Sequence, residues 1–98
     1  MAKEYWKHIP SSVDVLITHG PPFGILDKAT NGKHVGDEDL LIEVASRCKP
    51  QFHIFGHIHE AYGVTQLGKT TYINAATSNL FGQPQNAPIV FDMRKKIT

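Results

Sequence analysis

The run Val13-Asp14-Val15-Leu16-Ile17-Thr18 is β-branched and apolar almost throughout, and it stops at His19-Gly20-Pro21-Pro22. A strand with one wet face alternates polar and apolar residues. A strand without that alternation is expected to be covered on both faces, as in the parallel sheet of an α/β fold. The proline pair cannot continue a hydrogen-bonded ladder, so the strand ends at the histidine. A second short apolar run, Phe52-His53-Ile54-Phe55, breaks in the same manner at Gly56-His57-Ile58-His59. Between the two runs, residues 23–36 hold three glycines, an Asn31-Gly32 pair and mixed charge, which predicts a long irregular loop of the kind that often carries function. Asp37 then caps a helix with Glu38 and Asp39 in its first turn. Leu40, Leu41, Val44, Ala45 and Cys48 form one apolar stripe, Arg47 and Lys49 favour the carboxyl end, and Pro50 marks the stop. Residues 62–67 and 70–74, joined at Gly68-Lys69, predict an antiparallel hairpin. Residues 88–92 form a last strand candidate after a polar loop over residues 79–88.

Ninety-eight residues with 41% hydrophobic content suit one domain with a modest core. Ten basic residues nearly balance nine acidic ones, so no summed field would recruit nucleic acid or an anionic membrane. No apolar run approaches the roughly 20 residues of a bilayer span, and the first residues lack the apolar stretch of a signal peptide. The single cysteine, Cys48, forms no internal disulfide and falls on the apolar side of the helix, which points to a reducing, cytoplasmic setting. Six histidines are the compositional oddity, because histidine is the commonest metal ligand.

Their positions matter. Two parallel strands joined by a right-handed helical crossover end on the same edge of the sheet. His19 ends the first strand and His57 the second. Ligands of open α/β sheets bind outside the carboxyl ends of strands, and neighbouring strands lie about 4.8 Å apart, so imidazoles from both turns can converge on one ion. His57 and His59 can serve one metal or two adjacent ones. Gly20 and Gly56 are expected to let the backbone turn sharply beside a ligand, where a side chain would block the approach of a phosphate. His8 and His34 read as polar loop residues, and His53, alternating with Phe52 and Ile54, as one facing a sheet surface. Asn74 either borders the same edge, as a substrate contact, or serves as a strand-end turn residue.

At these residues the chain resembles the calcineurin-like metallophosphoesterase superfamily, whose later motifs read Gly-His or His-Gly after one strand and Gly-His-x-His after the next. Here they stand as Thr18-His19-Gly20-Pro21-Pro22 and Gly56-His57-Ile58-His59-Glu60. The similarity extends from Trp6 and Ile9-Pro10 through Thr70-Thr71-Tyr72-Ile73-Asn74-Ala75 to Pro88-Ile89-Val90-Phe91-Asp92, and is greatest to the subgroup of metallophosphoesterase domain-containing proteins. The resemblance implies the carboxyl-terminal half of a metallophosphoesterase α/β sandwich, with residues 1–98 as a single partial domain. It also implies that His19 and His57 bind the second of two divalent transition metals (Mn, Fe or Zn) and His59 the first. Gly20 and Asn74 would border the substrate.

Members of that superfamily begin with Asp-x-His, Gly-Asp-x-x-Asp and Gly-Asn-His motifs, and none of these occurs here. The expectation is therefore an expressed fragment, a truncated natural product or half of a split enzyme. Alone it would bind one metal weakly, carry no catalytic residue of its own and be inactive. In the intact family two metals about 3.5–4 Å apart polarise the phosphoryl group and generate the attacking hydroxide. The implied substrate is a phosphodiester, with nucleotides among the candidates. The alternative is a non-catalytic half-domain that binds a metal or a partner, either a second copy of the chain or a complementing amino-terminal half.

Overall fold

A computed structural model describes residues 6–76. Within them β1 (Val15–Ile17), β2 (Phe52–Phe55), β3 (Gly63–Leu67) and β4 (Thr70–Asn74) form one mixed sheet in the spatial order β1-β2-β4-β3. β1 and β2 are parallel, with Leu16 opposite His53, and β2 is parallel to β4, with Phe55 opposite Asn74. β3 and β4 make the expected antiparallel hairpin, with Leu67 opposite Thr70 across Gly68-Lys69. The class is thus α/β. The last strand expected over residues 88–92, and the loop before it, lie outside the described residues.

The helix starts where its cap residue predicts. One oxygen of Asp37 accepts the Leu40 N–H at 3.0 Å, and the other accepts the Trp6 indole N–H at 3.0 Å, which ties the amino-terminal turn to the mouth of α1 (Glu38–Glu43). Over Val44–Cys48 the coil widens into a π turn, and the Lys49 N–H reaches back five residues to the Val44 carbonyl at 2.9 Å. Leu40, Val44 and Cys48 are buried as the stripe requires, whereas the wider turn leaves Ala45 on the exposed side. Ile25, Leu40, Val44, Phe55 and Tyr72 make the core, with Trp6, Ile9, Leu16, Leu26 and Leu41 packed against it.

Two expectations need correcting. β1 is not covered on both faces: Ile17 is 72% exposed, and Val15 and Leu16 are only partly buried. His53, by contrast, is wholly buried, packed edge-on against Phe55 and Tyr72 at ring-centroid distances of 5.1 and 5.7 Å. Position 53 is therefore an interior position rather than one on a sheet surface. Among the described residues no helix is long and apolar enough to cross a membrane.

Candidate metal site

Parallel pairing brings the two histidine turns side by side. The Thr18 N–H donates to the Ile54 carbonyl at 3.0 Å, and one step further the Gly56 N–H donates to the His19 carbonyl at 3.1 Å, so the ladder runs past both strand ends. The imidazoles of His19 and His57 then lie with centroids 4.7 Å apart and planes tilted by 45°, both on exposed residues. Sequence-distant residues have become neighbours through strand register alone.

The sharp turn is not made by the glycines. Neither Gly20 nor Gly56 has a positive φ; His57 does, at 71°, and across it the Ile58 N–H bonds to the Gly56 carbonyl at 2.8 Å. That is a three-residue γ-turn centred on a residue with a Cβ, a strained arrangement that concentrates at functional positions. A substitution pair tests the strain. Glycine normally stabilises less than alanine, yet here His57→Gly is expected to be more stable than His57→Ala by about 1 kcal/mol, because only glycine takes this φ freely. Urea midpoints of the two variants check the sign.

Behind the pair, the Thr18 hydroxyl donates to the Gly20 carbonyl at 2.7 Å and lies 3.0 Å from His53 Nε2. With its only proton committed to Gly20, the hydroxyl accepts, so Nε2 carries the His53 proton. Burial pushes this imidazole down to about 4, which keeps it neutral. Gly20, expected to border a substrate, therefore has its carbonyl turned inward onto Thr18. Asn74, the other expected substrate contact, does stand at this edge, but it is fully buried and donates to the carbonyls of Leu26 and Ile58 at 3.0 and 2.9 Å.

His59 opens a 3-10 turn, His59–Ala61, closed by the Ala61 N–H on the Ile58 carbonyl at 3.1 Å, and is half-buried. The described residues contain no group of three or more His, Cys, Asp or Glu side chains placed to hold a metal ion. The structure thus joins His19 to His57 and leaves His59 on the following turn. Glu60 accepts the Thr30 N–H at 3.0 Å, which ties that turn to the loop over residues 23–36.

Sequence reasoning passed over the residue that organises this loop. Asp27, 1% exposed, accepts from the Gly24 and Gly36 N–H groups at 2.8 Å each and from His34 Nδ1 at 2.6 Å. Burial works to raise this carboxyl, but the bonds from Gly24, His34 and Gly36 outweigh it and hold the group below its ordinary value. Its trace in the sequence is slight, an aspartate three residues after Gly24 and nine before Gly36 in a polar loop.

Imidazole nitrogen suits zinc, iron, nickel and copper, and two rings presented from adjacent strand ends fit one shared ion as two of its ligands. No protein-family model matches the chain. It is similar to metallophosphoesterase domain-containing protein 1 of Homo sapiens, with 50% identity over 91 residues, 92% of this chain and 28% of that protein. The mouse protein of that name gives the same figures. A UPF0046 protein of Caenorhabditis elegans is 48% identical over 93 residues, 95% of this chain and 31% of its own length. The chain therefore spans less than a third of these relatives. Over the stretch they share, the chain is similar to proteins named as metallophosphoesterase domain-containing.

Proposed function

We propose that this chain is part of a metal-dependent phosphoester hydrolase, contributing His19 and His57 to one divalent transition metal and His59 to a second. The observation that carries this reading is the pair of imidazoles 4.7 Å apart at the carboxyl ends of two parallel strands. The names of the relatives supply the reaction class. Divalent ions, when bound, polarise phosphoryl oxygens and bring the pKa of water down to about 7. The chain's own residues bind and orient: β1 and β2 deliver the two rings, the γ-turn aims His57, and Thr18 pins the turn after His19. The substrate class is a phosphodiester, nucleotides included, and the setting a cytoplasmic one in which the buried thiol of Cys48 stays free.

A second reading is a half-domain that binds a partner strand and does no chemistry, and the exposed Ile17 on the edge strand favours it. Calorimetric titration with zinc and with manganese separates the two. We expect weak binding by the wild type, lost at least tenfold in His19→Ala and in His57→Ala, and no turnover of an aryl phosphodiester by the chain alone. Equal binding by all three proteins would remove the metal reading. Turnover abolished by chelator and by His57→Ala would show instead that copies of this chain complete the site.

A further inference from the structure

We infer that Asn74 is a positioning residue for the histidine pair, clamping the strained turn at His57 to the loop over residues 23–36 through two backbone carbonyls. This inference rests on the metal reading of His19 and His57.

Asn74 ends β4 opposite Phe55 of β2 and Gly63 of β3, so it lies directly beneath the turn that follows β2. Its residue is 0% exposed. One carboxamide proton goes to the Ile58 carbonyl at 2.9 Å and the other to the Leu26 carbonyl at 3.0 Å, while Oδ1 accepts the Ala76 N–H at 3.1 Å. The orientation of the amide follows from its partners, since the reverse flip would set an oxygen against two carbonyl oxygens. With both donors committed to the chain, this group acts on a ligand only through the backbone it holds.

What it holds is unusual. Among the described residues three non-glycine positions have positive φ: Leu26 at 50°, Lys49 at 42° and His57 at 71°. Two of the three flank this one carboxamide, Leu26 through its own carbonyl and His57 through the carbonyl of the next residue. Backbone in such regions persists only where its surroundings over-determine it. A neutral planar fork with two N–H donors is what two converging carbonyls require. Aspartate and leucine, of similar size, offer no such donor. The clamp also has a functional direction, because relaxing Ile58 would let His57 leave its positive φ and swing its ring away from His19.

The test compares two buried hydrogen-bonding residues of one strand. Thr70, at the far end of β4, donates from its hydroxyl to the Pro50 carbonyl at 2.6 Å. Zinc affinity is measured by calorimetry for the wild type, Asn74→Ala and Thr70→Val. We expect Asn74→Ala to bind zinc about 10- to 100-fold more weakly, and Thr70→Val to bind as the wild type does although it too loses a buried bond. Wild-type affinity in Asn74→Ala, or equal losses in both variants, would overturn the inference. Hydrogen exchange of the Asn74 carboxamide in the unsubstituted chain gives a second readout that needs neither metal nor mutant. Protection well beyond that of free asparagine is expected, and free exchange would overturn the clamp. Should Asn74→Ala fail to fold, the zinc affinity of Asn74→Ser, together with the exchange measurement on the unsubstituted chain, decides. Should the wild type bind no zinc, the metal reading fails by itself, and the inference, which depends on it, falls with it.

Discussion

Replacing Asp27 by alanine is expected to loosen the outer part of the loop over residues 23–36 and to lower stability by about 2 kcal/mol. The carboxylate joins the two arms of the loop. Gly24 and Gly36, on opposite arms, donate to the same Oδ2, and His34 donates to Oδ1. Without it two backbone N–H groups lose their partner: that of exposed Gly24 can turn to water, whereas that of half-buried Gly36 costs about 1–3 kcal/mol if left unsatisfied. At one arm the loop packs closely, since a Cβ at Gly36 would collide with the Pro22 carbonyl. The Pro22–Asp37 bridge at the base of the loop would survive. Urea denaturation gives the magnitude, and hydrogen exchange at the Gly24 and Gly36 amides gives the location. An unchanged midpoint would mean that the bridge and the Glu60–Thr30 contact are sufficient.

The acid limb of stability carries the same signature. His53 is held neutral, with its pKa lowered from 6.5 to about 4 by burial. The unfolded chain therefore binds the extra proton first, and stability falls as pH drops from 6.5 towards 4. Asp27 follows below that. Its carboxyl is lowered from 3.8, so its contribution is complete above that value and is lost as pH falls further, through the folded-state value. In Asp27→Ala the first segment should remain and the second should vanish.

How much of this could be read from residues alone depends on what kind of contact was at stake. The strands, the cap at Asp37 and the hairpin were legible because each rests on local chemistry: β-branched runs, a carboxylate before an apolar stripe, Gly68 at a turn. The adjacency of His19 and His57 was legible too, since parallel strands carry their ends to one edge whatever lies between. His53 was misplaced because its burial is set by side chains distant in sequence, Thr18 and Tyr72 among them. The turn at His57 was assigned to glycines on conformational grounds, yet the positive φ fell on the histidine, where partners such as Asn74 impose it. Asp27 was silent for the same reason. A single aspartate in a polar loop looks solvated until the loop is closed around it.

The edge of the sheet offers the other large effect, a change of assembly. β1 has β2 on one side and no strand on the other among the described residues. An unpaired row of backbone donors and acceptors is a template for another chain, and Ile17, 72% exposed, adds apolar surface to it. A shallow groove of about 260 Å³, lined by Trp6, His8, Ile9, Leu16, Ile17 and Thr18, runs beside this edge. Natural edge strands are blunted by lysine, and this one presents isoleucine. At micromolar concentration the chain is therefore expected to sediment as a dimer or larger species, and Ile17→Lys to return it to a monomer with unchanged secondary structure. The substitution adds a solvated ammonium at a position already open to water, so folding should be little affected. A second strand laid there would also run alongside Thr18 and His19, which makes edge occupancy a determinant of access to the histidine pair. Zinc titration of Ile17→Lys beside the wild type reads that coupling directly. A monomeric wild type, or an Ile17→Lys chain that still self-associates, would show that the β1 edge is not the surface through which copies of this chain meet.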